Sequence, residues 1–377
     1  MTPLDLVVLG LSLSSSWGNG HASTYRSLLR GWAELGHRAL FLERDTPWYR
    51  AHRDLPDPDY CDLALYDGLA DLERWAPRVR GADAVMVGSY VPQGVAVGRW
   101  ALAEARGVTA FYDIDTPVTL AKLKARDFEY LAPGQIGEYQ LYLSFTGGPT
   151  LGELERVHGS PMARVLYCSA DTGAYRPRAA AKRWDLSYLG AYSPDRQAKL
   201  ERLLLAPARR APWLSFVVAG AQYPDALDWP ANVERIEHVP PADHARFYAQ
   251  SRFTLNITRR DMAVAGFSPS VRLFEAAACA APIISDDWPG LDELFTPGSE
   301  ILIGRDTGAV LAMLDAMGER QRRSIGAAAR RRVLGEHCGA QRARELELHI
   351  RHAAAAGRRR APAPLQAGAR ELREVEQ

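Results

Sequence analysis

Residues 266–287 read Gly-Phe-Ser-Pro-Ser-Val-Arg-Leu-Phe-Glu-Ala-Ala-Ala-Cys-Ala-Ala-Pro-Ile-Ile-Ser-Asp-Asp, which spells a loop, a helix and a buried strand in succession. Ser268 is a good N-cap, and Pro269 suits the first helical position, where its missing N–H costs nothing. The amides that follow, through Ser270, Val271 and Arg272, lack intrahelical acceptors and make a ready anion site. Arg272 adds positive charge there, and Glu275 stands at (i, i+3) on much the same side. A cation for a diphosphate and a carboxylate for a ribose diol, one turn apart, is what a nucleotide-sugar site requires. The plainer reading is that Arg272 neutralises Glu275 on an exposed helix face. The alanine run 276–281 lets this helix lie close to the strand that follows, which would hold the polar end rigidly.

The elements that must position these groups follow a regular grammar. Apolar runs of buried-strand type occur at residues 4–10, 39–42, 84–87, 108–112, 140–145 and 164–167, with helical patterns between most of them. The same grammar restarts at residues 185–190 and continues with runs at 214–218, 233–236, 253–257, 282–284 and 301–303. This βα alternation predicts an α/β fold of two tandem Rossmann-like domains with parallel sheets. The expected division is residues 1–178, residues 179–355 with the terminal helices, and a disordered tail over 356–377. The arginines of that tail would touch anionic lipid at most peripherally.

Open α/β sheets place ligands at the carboxyl ends of their strands, so loops there supply further candidates. Gly190 ends the first strand of the second domain, and Arg196 falls in the first turn of the next helix, within reach of a diphosphate or paired with Asp195. In the first domain, Gly20 allows close backbone approach, and His21 begins a helix whose N-terminus favours a neutral ring. His21 is therefore either a general base for an acceptor hydroxyl or a capping group. Asp113, at the end of another strand, is the second candidate base. A metal bridged by Asp113 and Asp115 is disfavoured, because Asp115 or Thr116 precedes Pro117 and suits a helix cap. Trp17, Trp48, Tyr49 and Tyr90 fall in loops after strands and would either stack on a sugar or pack those loops.

Composition bounds the rest. With 377 residues, two domains are the default, and a net charge of +1 gives no field that argues for nucleic acid. Cys61, Cys168, Cys279 and Cys338 form no CxxC pair and read as buried thiols of a reducing, cytoplasmic setting, not disulfides or zinc ligands. The apolar N-terminus reads as a first strand and not a signal peptide, and no uninterrupted apolar span is long enough to cross a bilayer.

The residues in hand resemble glycosyltransferases of the GT-B fold. Residues 4–10, Gly18-Asn-Gly-His21 and residues 35–43 look like that fold's N-terminal half. Asn256-Ile-Thr-Arg-Arg-Asp261, Ser268-Pro-Ser-Val-Arg-Leu-Phe-Glu275, Pro282-Ile-Ile-Ser-Asp286 and Gly290-Leu-Asp-Glu-Leu-Phe295 look like the CgeB-like, spore-maturation-type branch. The resemblance implies a nucleoside-diphosphate-sugar donor in the second domain, Glu275 on the ribose hydroxyls, no metal or other cofactor, and an acceptor hydroxyl presented by the first domain. Many retaining members carry an additional glutamate whose place here is taken by Phe267, which leaves the stereochemical outcome open. A nucleotide-sugar epimerase on the same double-Rossmann plan and a non-catalytic nucleotide-sugar-binding protein are the alternatives.

Overall fold

The apolar run that opens each half becomes the central strand of a sheet. A computed structural model describes residues 2–17 and 20–360 of the chain. Among these, the first sheet holds β1 (Asp5–Gly10), β2 (Arg38–Arg44), β3 (Asp62–Tyr66), β4 (Ala84–Gly88), β5 (Val108–Asp113), β6 (Leu141–Ser144) and β7 (Ala163–Val165). Their order is β3-β2-β1-β4-β5-β6-β7, all parallel. The second sheet holds β8 (Trp184–Leu189), β9 (Phe216–Ala219), β10 (Val233–Ile236), β11 (Ser251–Asn256), β12 (Ile283–Ser285) and β13 (Leu302–Ile303). It is ordered β10-β9-β8-β11-β12-β13 and is likewise parallel.

Both orders reverse direction beside the first strand of the domain, at β1/β4 and at β8/β11, and a crevice opens at such a point. Strands β1, β4 and β5 are buried along their whole length, as expected of parallel strands covered on both faces. Strand β3 was not foreseen. Its Asp62-Leu-Ala-Leu-Tyr66 lies at the sheet edge with mostly half-exposed side chains, so it needs no continuous apolar run.

One apolar core runs unbroken from beneath the first sheet into the second, joining Leu28 and Trp32 to Phe274 and Leu346. Separate cores cover the outer face of each sheet. The terminal helix (Gly339–Arg360), expected with the second domain, lies back on the first helix (His21–Glu34). It is tied there by the Glu347–His37 contact at 3.4 Å and by the Arg351 guanidinium, which donates to the Thr2 carbonyl at 2.8 Å. This helix continues to Arg360, so residues 356–360 of the expected disordered tail are helical; residues 361–377 lie outside the described residues. No helix among the described residues is long and apolar enough to cross a membrane.

Candidate active site

The two crevices face each other across one cleft, made of two chambers of about 560 Å³ each. They meet where Gly20 of the first domain faces Ala191, Val271 and Arg272 of the second. The first chamber is lined by the ends of β8 and β9, the loop after β10, Glu275, and Ser16, Trp17 and Gly20 after β1. The second is lined by His21, Tyr49, Tyr90 and Asp115 on one side and Arg196, Arg259 and Ser270 on the other.

The helix beside the junction spans Val271–Ala278, two residues later than the sequence suggests. Ser270, not Ser268, holds the N-cap position, and its hydroxyl donates to Asn256 Oδ1 at 2.8 Å instead of capping the helix. The amides of Val271 and Arg272 therefore face the cleft without side-chain acceptors. Ser268 is fully buried away from the chambers, 2.8 Å from Thr146 Oγ1 of the first domain. Its part is to join the domains, as are those of its neighbours: the Phe267 carbonyl accepts from Gly147 N–H at 2.9 Å, and the Pro269 carbonyl accepts from the Cys168 thiol at 3.6 Å.

Phe267 stands at the position where the resemblance would put an additional glutamate. Its backbone is left-handed, with φ of 47°, and its ring is wedged between glycines of both domains. A Cβ on either Gly148 or Gly290 would lie 2.3 Å from that ring. An apolar clamp between the domains thus occupies this position.

Three arginines converge on the open helix start. Arg272 lies with its guanidinium 5.4 Å from the Tyr188 ring centre. Gly190 makes room for it, since a Cβ there would come within 3.0 Å of that guanidinium. Arg196 donates to the Ala191 carbonyl at 2.9 Å, while its Nε is buried without a partner. Burial lowers the Arg196 pKa, and the neighbouring Arg272 and Arg259 charges lower it further. Asp195 offsets this only in part: it forms no ion pair with Arg196, and its carboxylate accepts from the Arg260 amide at 2.9 Å and from the Ser193 hydroxyl. Arg196 and Arg272 are half-buried and Arg259 is exposed, and like charges gathered at one opening are unfavourable until an anion arrives. Arg259 adds to this field, although its sequence context, the stretch 256–261, gives it no role of its own. The rule that ligands sit beyond strand ends, applied to β11, points to it.

Glu275 is buried in the first chamber and forms no ion pair with Arg272 or any other described residue. It lies beside the hydroxyls of Tyr175 and Tyr248, whose pKa values are pushed up by burial and then by this carboxylate. A buried, uncompensated carboxylate invites hydroxyl donors.

On the opposite wall, His21 opens the first helix after Gly20, with its ring edge-on to Tyr90 at 5.3 Å. Burial lowers its pKa to about 4, so the ring is neutral near pH 7. Its buried Nδ1 has no hydrogen-bond partner among the described residues. Tyr90 is itself held at φ of 62°, a costly conformation for a bulky residue and one typical of functional sites.

Asp113 does not reach the cleft. It is fully buried, accepting from Tyr142 Oη at 2.6 Å, Thr119 Oγ1 at 2.7 Å and the Asp115 amide at 3.2 Å. Both of its oxygens are committed, so it can serve neither as the base nor as a chelating partner of Asp115. Asp115 occupies the cleft position instead, where burial lifts its pKa to about 6 against the opposing pull of Arg259. The end of the strand explains the exchange: β5 stops at Asp113, and although alternation alone would put Asp115 on the same face, the turn beyond the strand carries Asp115 to the opening. Asp286 also proves structural, held by Lys199 at 2.5 Å and by the amide and hydroxyl of Thr258, both at 3.0 Å.

Comparison with known proteins places this geometry. Residues 196–347 match a family model described as glycosyl transferase-like. Sucrose-phosphate synthase from Thermosynechococcus elongatus aligns over 93% of this chain and 100% of its own, at 14% identity and a TM-score of 0.65. Anabaena HepE in complex with UDP and glucose aligns over 93% and 100%, at 11% identity and 0.66. AviGT4, a glycosyltransferase involved in avilamycin A biosynthesis, aligns over 94% and 99%, at 17% identity and 0.65. No curated protein sequence matches the chain. The shared architecture is the GT-B fold.

Proposed function

We propose that this chain, a glycosyltransferase by its GT-B fold and by the family model its second domain matches, moves a sugar from a UDP-sugar to an acceptor hydroxyl. One observation carries this reading. Among the described residues three arginines and a buried glutamate line one cleft without forming an ion pair, with Arg272 and Glu275 a helix turn apart. Each half is electrostatically incomplete, and a ribose joined to a diphosphate completes both. UDP is the nucleotide bound to HepE, whose fold this chain shares. Within the family we assign the chain to the CgeB-like branch, on the motifs between residues 252 and 303.

The uridine end would occupy the first chamber, with Glu275 accepting from the ribose hydroxyls. The diphosphate would lie on the Val271 and Arg272 amides, flanked by Arg196, Arg259 and Arg272. This puts the anomeric carbon at the junction of the chambers and the acceptor in the second, against Tyr49 and Tyr90. The acceptor oxygen attacks the anomeric carbon, its bond to the diphosphate oxygen breaks, and the hydroxyl proton passes to neutral His21. Charge growing on the leaving diphosphate meets preorganised cations and a helix dipole. These supply the counter-charge without a metal, and turnover unchanged by a chelator is the expected outcome. The four free thiols fit the cytoplasm, where we place the enzyme.

Titration calorimetry with UDP tests the assignment. Glu275→Ala removes an acceptor of charge-assisted hydrogen bonds and should weaken UDP binding about tenfold or more. Unchanged affinity would overturn the placement of the ribose.

A further inference from the structure

The first chamber has an aromatic wall that the second domain does not supply. Trp17, from the loop after β1, has one face covered by His52, with ring centres 4.2 Å apart and planes 12° from parallel. Across the cleft the indole meets His238, in the loop after β10, at 5.1 Å and 51°. Trp17 nevertheless keeps 37% of its surface exposed, and all three residues line this chamber.

The loop presenting this ring is pinned. The buried Glu43 carboxylate accepts from the amides of Leu13 and Ser14 at 2.7 and 2.8 Å, and from the Ser14 hydroxyl at 2.6 Å. Asp54 accepts from the amide and hydroxyl of Ser16 at 3.0 and 2.7 Å, and is itself held by Arg26 at 2.7 Å. A large apolar ring, backed on one side and fixed at its root, is set toward the opening instead of the core. Such a ring gives stacking area at little cost in conformational freedom.

We propose that Trp17, backed by His52 and opposed by His238, stacks on the nucleobase of the donor, so that both domains grip the nucleotide. The proposal rests on the assignment of UDP to this cleft and adds that base recognition is shared across it. If Trp17 merely packed one domain on the other, its loss would affect every ligand of the cleft alike.

Calorimetry on the full-length protein separates these cases, with UDP and inorganic diphosphate as probes. For Trp17→Ala the expected result is about tenfold weaker UDP binding, in the range of stacking losses, with diphosphate affinity as in the wild type. Trp17→Phe, which keeps a stacking face, should recover most of the UDP affinity. Retained diphosphate binding also shows that the variant is folded. Equal UDP affinity in wild type and Trp17→Ala would overturn the proposal, as would parallel loss of UDP and diphosphate. A wild-type protein that fails to bind UDP would sink the donor assignment itself, and the clamp with it.

Discussion

The two walls of the cleft are built on opposite principles. The second-domain wall is electrostatically unfinished: among the described residues Arg196, Arg259, Arg272 and Glu275 line the cleft without forming an ion pair. The first-domain wall is largely self-sufficient. Glu43 and Asp113 are buried carboxylates saturated by hydrogen bonds, and they hold loops in place without meeting a ligand. What the first wall offers the first chamber is the Trp17 ring; to the second it offers neutral His21, Tyr90 and the Asp115 carboxyl. Unpaired charge marks where a donor's charge belongs, and groups able to take up a proton suit an acceptor hydroxyl.

Substitutions sharpen the contrast, and the largest effect belongs to the charged wall. Replacing Arg259 and Arg272 together by alanine should lower donor turnover, read as UDP release, by about a thousandfold, the scale of lost transition-state stabilisation. A loss below about tenfold would break the electrostatic account of that wall. His21→Ala comes next, with an expected loss of about a hundredfold in turnover and little change in UDP affinity, as for a base absent from the ground-state contacts. Weakened UDP binding without a turnover defect would move His21 from proton transfer to donor binding.

The adjacent aspartates give a comparison within the first wall. Asp113→Asn disrupts a buried network and should cost about 1–3 kcal/mol of stability by chemical denaturation. Asp115→Asn should do the reverse, with a pH signature. Because the folded Asp115 carboxyl titrates at about 6, well above its ordinary value, the folded state holds more protons than the unfolded one between those pH values. Its contribution is present in acid and is lost as pH rises through about 6. Asp115→Asn should therefore melt higher than wild type at pH 8 and equally at pH 4; a lower melting point at pH 8 would contradict this. The smallest effect is expected for Gly20→Ala, whose new methyl would meet nothing closer than Val271 Cγ1 at 3.8 Å. UDP affinity should stay within about twofold.

The same contrast explains what was legible in the sequence. The second wall comes from contiguous stretches, so Gly190, Arg196, Ser270, Val271, Arg272 and Glu275 could each be placed at the cleft from local pattern alone. Twelve of the strands were visible as apolar runs, while edge strand β3 was not, having only half a core to face. Local pattern misled where a side chain's direction decides its role. Asp113 and Asp115 are chemically alike, and only the turn that follows β5 separates a structural carboxylate from one in the cleft. Ser268 looked like a cap because it precedes Pro269, but its hydroxyl is taken by Thr146, which is remote in sequence. Arg259 lies in the stretch 256–261 but has no role there by itself, and His52 and His238 carry no motif; all three gain meaning only when two domains border one space.

A crystal structure of the protein with UDP tests the central claim most directly. The account predicts diphosphate oxygens on the Val271 and Arg272 amides within reach of the three arginines, with the ribose hydroxyls on Glu275. Density for the nucleotide outside this cleft, or a diphosphate turned away from that helix start, would contradict it.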